Sequence, residues 1–412
     1  MDVDKRIIFI HPDLGIGGAE RLAVDAALSL QEEGFEVEFI TSHHDKNHCF
    51  LETKDGTLPV KVVGDWLPRN IFGRCYALCM YLRMIFLAFY VILCHKNKPD
   101  LVFCDLVSVC IPILQWKNIQ VLFYCHYPDQ LLSKRGSFIK SIYRFPLNKL
   151  EEWTTCRADK ILVNSEFTRS VVLSTFTSLK KKNLEILYPS VYTDNFQKTM
   201  PEPIENVLNP LPSKEDTVFL SVNRYERKKN LELAIYALNS LRSRLDKEKK
   251  NSAHLIVAGG YDPNNTENVE YFKELQELVE KLKMSENVSF LTSPSDAAKI
   301  SLFRFSKCII YTPSGEHFGI VPIEAMFCKK PVIAVNSGGP KESILDNKTG
   351  FLCEPNEEAF AKAMKKIMDN EDNIVQQFSQ FGFNRFHEKF SFQAFSHQLN
   401  TIVNNMLDKK FN

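Results

Sequence analysis

Residues 7–33 read IIFIHPDLGIGGAERLAVDAALSLQEE, and their order decides the fold. Ile7–Ile10 is a short run of bulky apolar residues, the mark of a strand buried on both faces. It is too short for the apolar core of a secretory signal, which needs roughly 7–15 residues. Gly15, Gly17 and Gly18 follow as a tight turn. From Gly18 to about Glu33 the stretch reads as a helix. Strand, glycine turn and helix in that order open a βαβ unit.

The alternation continues. Apolar runs at Val37–Thr41, Val60–Val63, Leu101–Cys104, Val121–Cys125 and Ile161–Asn164 are separated by helix-length segments, which predicts a parallel sheet. Pro201, Pro203, Pro210 and Pro212 then crowd the stretch Met200–Pro212, which reads as a linker. The pattern restarts at Val218–Val222, Leu255–Ala258, Val288–Leu291, Cys308–Tyr311 and Val332–Val335. The expected fold is α/β, with two Rossmann-like parallel-sheet domains over residues 1–200 and 213–388. A ligand is expected in the cleft between them, beyond the carboxyl ends of the strands. Residues 389–412 carry Phe395, Leu399, Ile402, Val403 and Met406 at helical spacing. They are expected to form a helix that packs back on the N-terminal domain.

Composition narrows the function. The 412 residues exceed one ordinary core. Lys plus Arg is 51 against 50 Asp plus Glu, so the chain lacks the basic excess of a nucleic-acid binder. An apolar fraction of 44% argues against intrinsic disorder. The eleven cysteines form no CxxC pair. Neither Cys75/Cys79 nor Cys104/Cys110 has zinc-site spacing, and the odd count suits reduced thiols. Sequons at Asn264, Asn287 and Asn347 are no more than chance supplies.

One segment resists this picture. Tyr76–Leu93 (YALCMYLRMIFLAFYVIL) carries one charge, Arg83, and is long enough to span a bilayer. Arg83 would cost about 2.5–3.5 kcal/mol at the centre of a span. A single crossing would also put Ile7–Ile10 and Val121–Cys125 on opposite sides of the membrane. The segment is therefore read as an in-plane or partly inserted helix, flanked by Arg69, Arg74, Lys96 and Lys98. The alternative is a core helix of the first domain.

Five motifs carry chemistry. Gly15-Ile-Gly17-Gly18-Ala-Glu20-Arg21 offers glycine backbone and helix amides to an anion, or is simply a tight turn. A G-x-G-x-x-G fingerprint would need glycine where Glu20 stands, which weakens a nicotinamide-dependent reductase. Asn223-Arg224-Tyr-Glu-Arg227-Lys228-Lys229-Asn230 places four cations where a helix is expected to open. They oppose its dipole unless an anion binds. Arg224 as a fork and Lys229 as a point charge suit a pyrophosphate; a solvated basic loop is the alternative. Glu316-His-Phe318-Gly319-Ile320-Val-Pro322-Ile-Glu324 puts Pro322 in the first turn of a helix, with amides near Gly319 and Ile320 facing the cleft. Glu324 suits a ribose diol and Glu316 a sugar hydroxyl, against a reading as surface acids around a turn. Gly338-Gly339-Pro340-Lys341-Glu342 is a further glycine loop. In Tyr124-Cys125-His126-Tyr127-Pro128-Asp129, His126 ends a strand, where it either contacts the transferred group or is structural. Lys134, Arg135, Lys140 and Arg144 downstream suit an anionic headgroup or a diphosphate, or a solvated helix face equally well. There is no P-loop, and the lone Asp-x-Asp, Asp2-Val-Asp4, precedes a strand where a metal motif would end one. No metal and no cofactor are expected.

In this order, GGAER, HYPD, NRYERKKN, E-x7-E and GGPKE resemble the retaining family 4 glycosyltransferases of the GT-B fold, over nearly the whole chain. The run FYCHYPDQLLSKRGSFIKSIYR and the apolar segment are similar to the dolichol-pathway mannosyltransferases that form α-1,3 and α-1,6 linkages. The resemblance implies a GDP-mannose donor and a dolichol-linked mannosyl-chitobiose acceptor. It also implies membrane lipid and other enzymes of the same pathway as partners, and the cytosolic face of the endoplasmic reticulum as location. It assigns catalysis to Glu316, Lys229, Arg224 and His126. The donor would be held by Arg224, Lys229, Glu316, Phe318, Gly319, Ile320 and Glu324, with Gly17 and Gly18, and the acceptor by Lys134, Arg135, Lys140 and Arg144. Tyr127 stands where relatives often have Phe. Two alternatives stay open: a family 4 transferase with another nucleotide sugar and lipid acceptor, and a non-catalytic membrane scaffold.

Overall fold

Ile7–Ile10 are buried because strand β1 (Arg6–His11) lies inside a seven-stranded sheet and alternate side chains face opposite layers. The computed structural model describes residues 5–132, 138–191, 199–246 and 252–408. Asp2-Val-Asp4, Lys134 and Arg135 lie outside them. The chain divides into two units, Met1–Ser190 with Phe392–Asn412, and Val191–Ser391.

In the N-terminal unit, β2 (Glu36–Thr41), β3 (Val60–Val62), β4 (Leu101–Asp105), β5 (Gln120–Cys125), β6 (Lys160–Val163) and β7 (Leu184–Ile186) join β1 in the order β3-β2-β1-β4-β5-β6-β7. All pairs are parallel. The order reverses between β1 and β4, the switch point where such sheets bind ligands. Ile7 and Phe9 face the layer holding helix Gly18–Glu32 and the last helix, Phe392–Asp408. The rings of Phe9 and Phe103 stack at 4.6 Å in that layer. Ile8 and Ile10 face the layer holding helix Tyr76–Leu93. The last helix buries Phe395, Leu399, Ile402, Val403 and Met406, the residues its spacing selected. Polar contacts fix it: Ser29 Oγ donates to Ser396 Oγ at 2.8 Å, and Asn400 Nδ2 to Glu33 Oε2 at 3.1 Å.

The C-terminal unit has six parallel strands in the order β10-β9-β8-β11-β12-β13. These are β8 (Thr217–Val222), β9 (Ala253–Gly259), β10 (Val288–Thr292), β11 (Cys308–Tyr311), β12 (Val332–Val335) and β13 (Gly350–Cys353). The switch point lies between β8 and β11.

Three expectations need correction. The boundary falls at Ser190/Val191, ahead of the proline cluster. Residues 200–212 do not behave as a linker: Ile204–Val207 is a short helix, Leu208 is buried, and Ser301 Oγ donates to Glu202 O at 2.5 Å. Prolines here shape a packed segment. Strands β7 and β13 were not expected, because three or four residues such as Leu-Glu-Ile give no recognisable apolar run.

The apolar segment is two-faced. Cys79, Tyr81, Arg83, Met84, Leu87, Ala88 and Val91 point into the core. Arg83 is on this inner face, where its Nη2 donates to Ser42 O at 2.7 Å and to Asp65 Oδ1 at 3.0 Å. The cost of placing that charge in lipid therefore does not arise. Tyr76, Leu82, Phe86 and Leu93 are exposed, as are Trp66 and Phe72 just before the helix.

Candidate active site

The C-terminal unit builds its site at the switch point. The chain leaves β8 through Asn223–Glu226, makes one 3-10 turn at Arg227–Lys229, and starts its helix at Leu231 only after Asn230 turns in the left-handed region (φ 51°). The cations therefore precede the helix instead of opening it, and the dipole argument drawn from the sequence does not hold. Their charge is also largely balanced. Glu226 lies 3.2 Å from Arg224 and 2.9 Å from Lys228, while Arg227 pairs with Glu270 and Glu274. Burial would raise the Glu226 carboxyl, but Lys228, Arg224 and Lys229 hold it below the usual carboxylate range. Arg224 keeps an exposed side chain. Lys229 is buried and donates to Glu316 Oε1 at 2.6 Å, and its carbonyl accepts from Thr312 Oγ1 at 2.8 Å. The ends of β8 and β11 thus meet at a lysine–glutamate pair.

Glu324 sits in helix Ile320–Phe327 and is buried. Lys299 Nζ donates to its Oε1 at 2.7 Å, and its Oε2 has no hydrogen-bond partner among the described residues. Asn223 Nδ2, at the end of β8, is a buried donor in the same condition. Each unsatisfied buried group costs about 1–3 kcal/mol, which a ligand with matching groups recovers. Burial, with Glu316 and Glu324 nearby, pushes the Tyr311 phenol well up, so it stays a hydroxyl. Gly319 caps the helix at φ 81°, and the helix's first amides lack helical acceptors. The Ile320 side chain is partly exposed. Phe318 is buried 5.9 Å from the Phe390 ring, so its side chain is a packing residue. The second glycine loop supports this one. Gly339 N donates to Glu316 O at 2.8 Å, and a Cβ at Gly338 or Gly339 would overlap the carbonyl oxygen of Glu316 or Phe318.

In the N-terminal unit, His126 follows β5 and its Nε2 lies 2.9 Å from Asp105 Oδ1. Asp105 ends β4, and its Oδ2 lies 3.2 Å from Nε2 of His11, which ends β1. Burial would raise the Asp105 carboxyl, but His126 and His11 hold it at about 2. Neither Asp105 nor His11 was singled out from sequence. A polar residue closing an apolar strand was the available signal, but only the strand order reveals that the ends of β1, β4 and β5 adjoin. Gly17 caps helix Gly18–Glu32, with Glu20 Oε2 folded against it.

The basic residues after His126 separate. Lys140 is exposed on helix Phe138–Arg157. Arg144 is not a free cation: its Nη2 donates to Asp129 Oδ2 at 2.8 Å and braces the loop after His126. Glu151, also missed, accepts from Asp129 N at 2.6 Å and Gln130 N at 3.2 Å. Burial pushes its carboxyl up to about 7. An acid raised in the folded state contributes full stability below its unfolded pKa of about 4.3 and loses it as pH rises through about 7. The wild-type melting temperature is therefore expected to fall from pH 5 to pH 8, by the equivalent of about 2–4 kcal/mol. Glu151→Gln should flatten that slope in a thermal melt, and parallel slopes in the two proteins would contradict it. Among the described residues, no group of three or more His, Cys, Asp or Glu is placed to hold a metal ion.

Two Rossmann-like parallel-sheet units, with cations and paired acids at a switch point, define the class of GT-B glycosyltransferases. Residues 16–195 match the model described as Glycosyltransferase Family 4, and residues 205–385 that of glycosyl transferases group 1. Sucrose-phosphate synthase from Thermosynechococcus elongatus shares the fold with a TM-score of 0.74 at 20% identity, over 98% of this chain and 100% of that one. Anabaena Alr3699/HepE in complex with UDP and glucose does so with a TM-score of 0.68 at 18% identity, over 97% and 100%. Sequence likeness is much higher to the alpha-1,3/1,6-mannosyltransferases ALG2 of Homo sapiens (49% identical) and Mus musculus (48%), each over 97% of this chain and 96% of the relative. The Schizosaccharomyces pombe protein of that name is 44% identical over 84% of this chain and 70% of its own length. The chain belongs to this family of alpha-1,3/1,6-mannosyltransferases.

Proposed function

We propose that the protein transfers mannose from GDP-mannose, with retention, to a dolichyl-diphosphate-linked mannosyl-chitobiose. It adds one α-1,3 and one α-1,6 mannose during assembly of the N-glycan precursor. The observation that carries this reading is the Lys229–Glu316 pair at the β8/β11 switch point, together with a buried Glu324 oxygen that has no hydrogen-bond partner among the described residues. Lys229 and Arg224 take the donor diphosphate, Glu324 Oε2 accepts from a ribose hydroxyl, and Glu316 from a mannose hydroxyl. The N-terminal unit contributes His126 toward the transferred sugar and Lys140 toward the acceptor.

In the reaction the bond from mannose C1 to the phosphate oxygen breaks, and C1 bonds to the acceptor oxygen on the same face. The acceptor hydroxyl proton passes to the departing phosphate. Negative charge grows on GDP, where Lys229, Arg224 and the amides after Gly319 stabilise it. No residue is assigned as a covalent nucleophile. The test incubates purified protein with radiolabelled GDP-mannose and the lipid-linked acceptor and maps the linkages formed. Transfer from UDP-sugars in preference to GDP-mannose, or products with other linkages, would overturn the reading.

The outer face of Tyr76–Leu93 supports a membrane location. With Arg83 turned inward, this face is apolar and continues into Trp66 and Phe72. We infer that it lies in the membrane interface, on the cytosolic face of the endoplasmic reticulum, where the lipid-linked acceptor is reached. Replacing Leu82, Phe86 and Leu93 together by Gln should lower partitioning onto phosphatidylcholine/phosphatidylserine vesicles by about 10-fold or more. Co-flotation equal to wild type would refute the inference.

A further inference from the structure

The strand order brings together three side chains from the ends of adjacent strands: His11 from β1, Asp105 from β4 and His126 just after β5. Asp105 is 1% exposed, so its carboxylate is shut off from bulk water and lies between the two rings. We propose that Asp105 is a positioning residue for mannosyl transfer: it fixes the ring and the proton of His126, and His11 flanks its second oxygen. This rests on the reading above that His126 faces the reacting groups.

The contacts determine where the protons are. An ionised carboxylate only accepts, so a ring nitrogen hydrogen-bonded to it carries the hydrogen. Nε2 of His126 therefore donates to Oδ1, across 2.9 Å. Nε2 of His11 lies 3.2 Å from Oδ2 as a close contact without hydrogen-bond geometry, and its Nδ1 accepts from the amide of Asp13 at 3.3 Å. Asp105 thus fixes the proton of His126, while His11 flanks its second oxygen. Nδ1 of His126 has no hydrogen-bond partner in the described residues. In neutral His126 it is the bare nitrogen, so it is the ring atom that can accept a hydrogen bond from a hydroxyl of the reacting groups.

The ring is held by more than Asp105. It packs against Tyr124, with centroids 4.7 Å apart, and Tyr124 OH is anchored on Leu187 O at 2.7 Å. Asn164 Nδ2 donates to the His126 carbonyl at 3.3 Å. These contacts fix the plane of the ring. Asp105 alone distinguishes its two nitrogens. A purely structural carboxylate would need only any donor, whereas this one specifies which nitrogen is protonated.

The first test needs no mutation. In 15N-histidine-labelled full-length protein, near neutral pH, the neutral His126 ring should show a protonated Nε2 and an imine-type Nδ1, its signals assigned by their loss in His126→Gln. In Asp105→Asn the side-chain amide can donate to Nε2, and the ring should switch to the Nδ1–H tautomer. With GDP-mannose and the lipid-linked acceptor, Asp105→Asn should lower kcat by about 10²-fold with KM for the donor little changed. In a His126→Ala background the same substitution should have no further effect. A wild-type ring protonated on Nδ1, or an equal loss in both backgrounds, would overturn the proposal. If the tautomer switches as stated but wild type transfers no mannose, the functional reading fails and the positioning by Asp105 stands.

Discussion

Lys229→Ala is expected to lower kcat for transfer from GDP-mannose by about 10²–10³-fold, a loss to be read by steady-state kinetics with the lipid-linked acceptor. The size follows from what Lys229 faces. It is a buried cation whose one hydrogen-bonded carboxylate, Glu316, lies 2.6 Å away. Buried charges act in a medium that screens them poorly, so a cation beside a leaving diphosphate is worth far more than the same charge in water. Before the donor binds, Glu316 balances the lysine. On the proposed reading, the arriving diphosphate gives Lys229 a second anion, and its stabilising effect grows as the bond to mannose breaks. That is why the loss is expected in kcat. A competing account gives Lys229 only the task of holding Glu316. The two accounts separate in a double-mutant cycle. If Lys229 acts only through Glu316, Lys229→Ala has no further effect in a Glu316→Gln background. If it acts on the diphosphate, most of the loss persists there. Unchanged activity in both single variants would remove the site from the mechanism altogether.

The strands that carry this site were legible because they are apolar runs of uninterrupted burial. β1, β8 and β11 emerge from composition alone, and the motifs that follow β8 and β11 are contiguous in sequence. The E-x7-E spacing also survives folding, since Glu316 precedes and Glu324 lies within one short helix. What was not legible is what balances what. Four cations near Arg224 looked like an anion site, but Glu270 and Glu274, which bind Arg227, lie over forty residues away. Arg144 looked available until Asp129 was found on it. Asp105 was invisible for the opposite reason: its partners His11 and His126 come from two other strands, and only the crossover order joins them. The apolar helix gave the clearest ambiguity. Its sequence fits lipid or a core, and the structure buries one face, with Arg83 on it, and leaves the other exposed.

Gly338→Val is expected to lower kcat by about 10²-fold while leaving the protein folded. Gly338 adopts φ +64°, where a side chain costs roughly 1–2 kcal/mol, and β-branched valine tolerates that region poorly. A Cβ there would overlap the Glu316 carbonyl and come within 2.9 Å of the Glu316 amide. The atom it meets is backbone, so relief requires the 316–318 loop to shift instead of a side chain rotating away. That loop also accepts the Gly339 amide at 2.8 Å, so a shift at Glu316 O loosens the same loop at a second point. Glu316 then leaves Lys229, and a displacement near 1 Å at a positioned group costs about two orders of magnitude in rate. The strain lies at the surface of the unit's core, and helix Ile320–Phe327 is still capped by Gly319, so thermal unfolding should shift by only a few degrees. Gly56 provides the control. It also has a positive φ (+94°), but a Cβ there meets nothing within 4 Å. Gly56→Val is therefore expected to leave kcat within about threefold of wild type, which on the rate scale is less than 1 kcal/mol. Equal kinetics for Gly338→Val and Gly56→Val would mean that the glycine loop does not hold Glu316, and that the spacing of the two loops is a packing feature without a role in transfer.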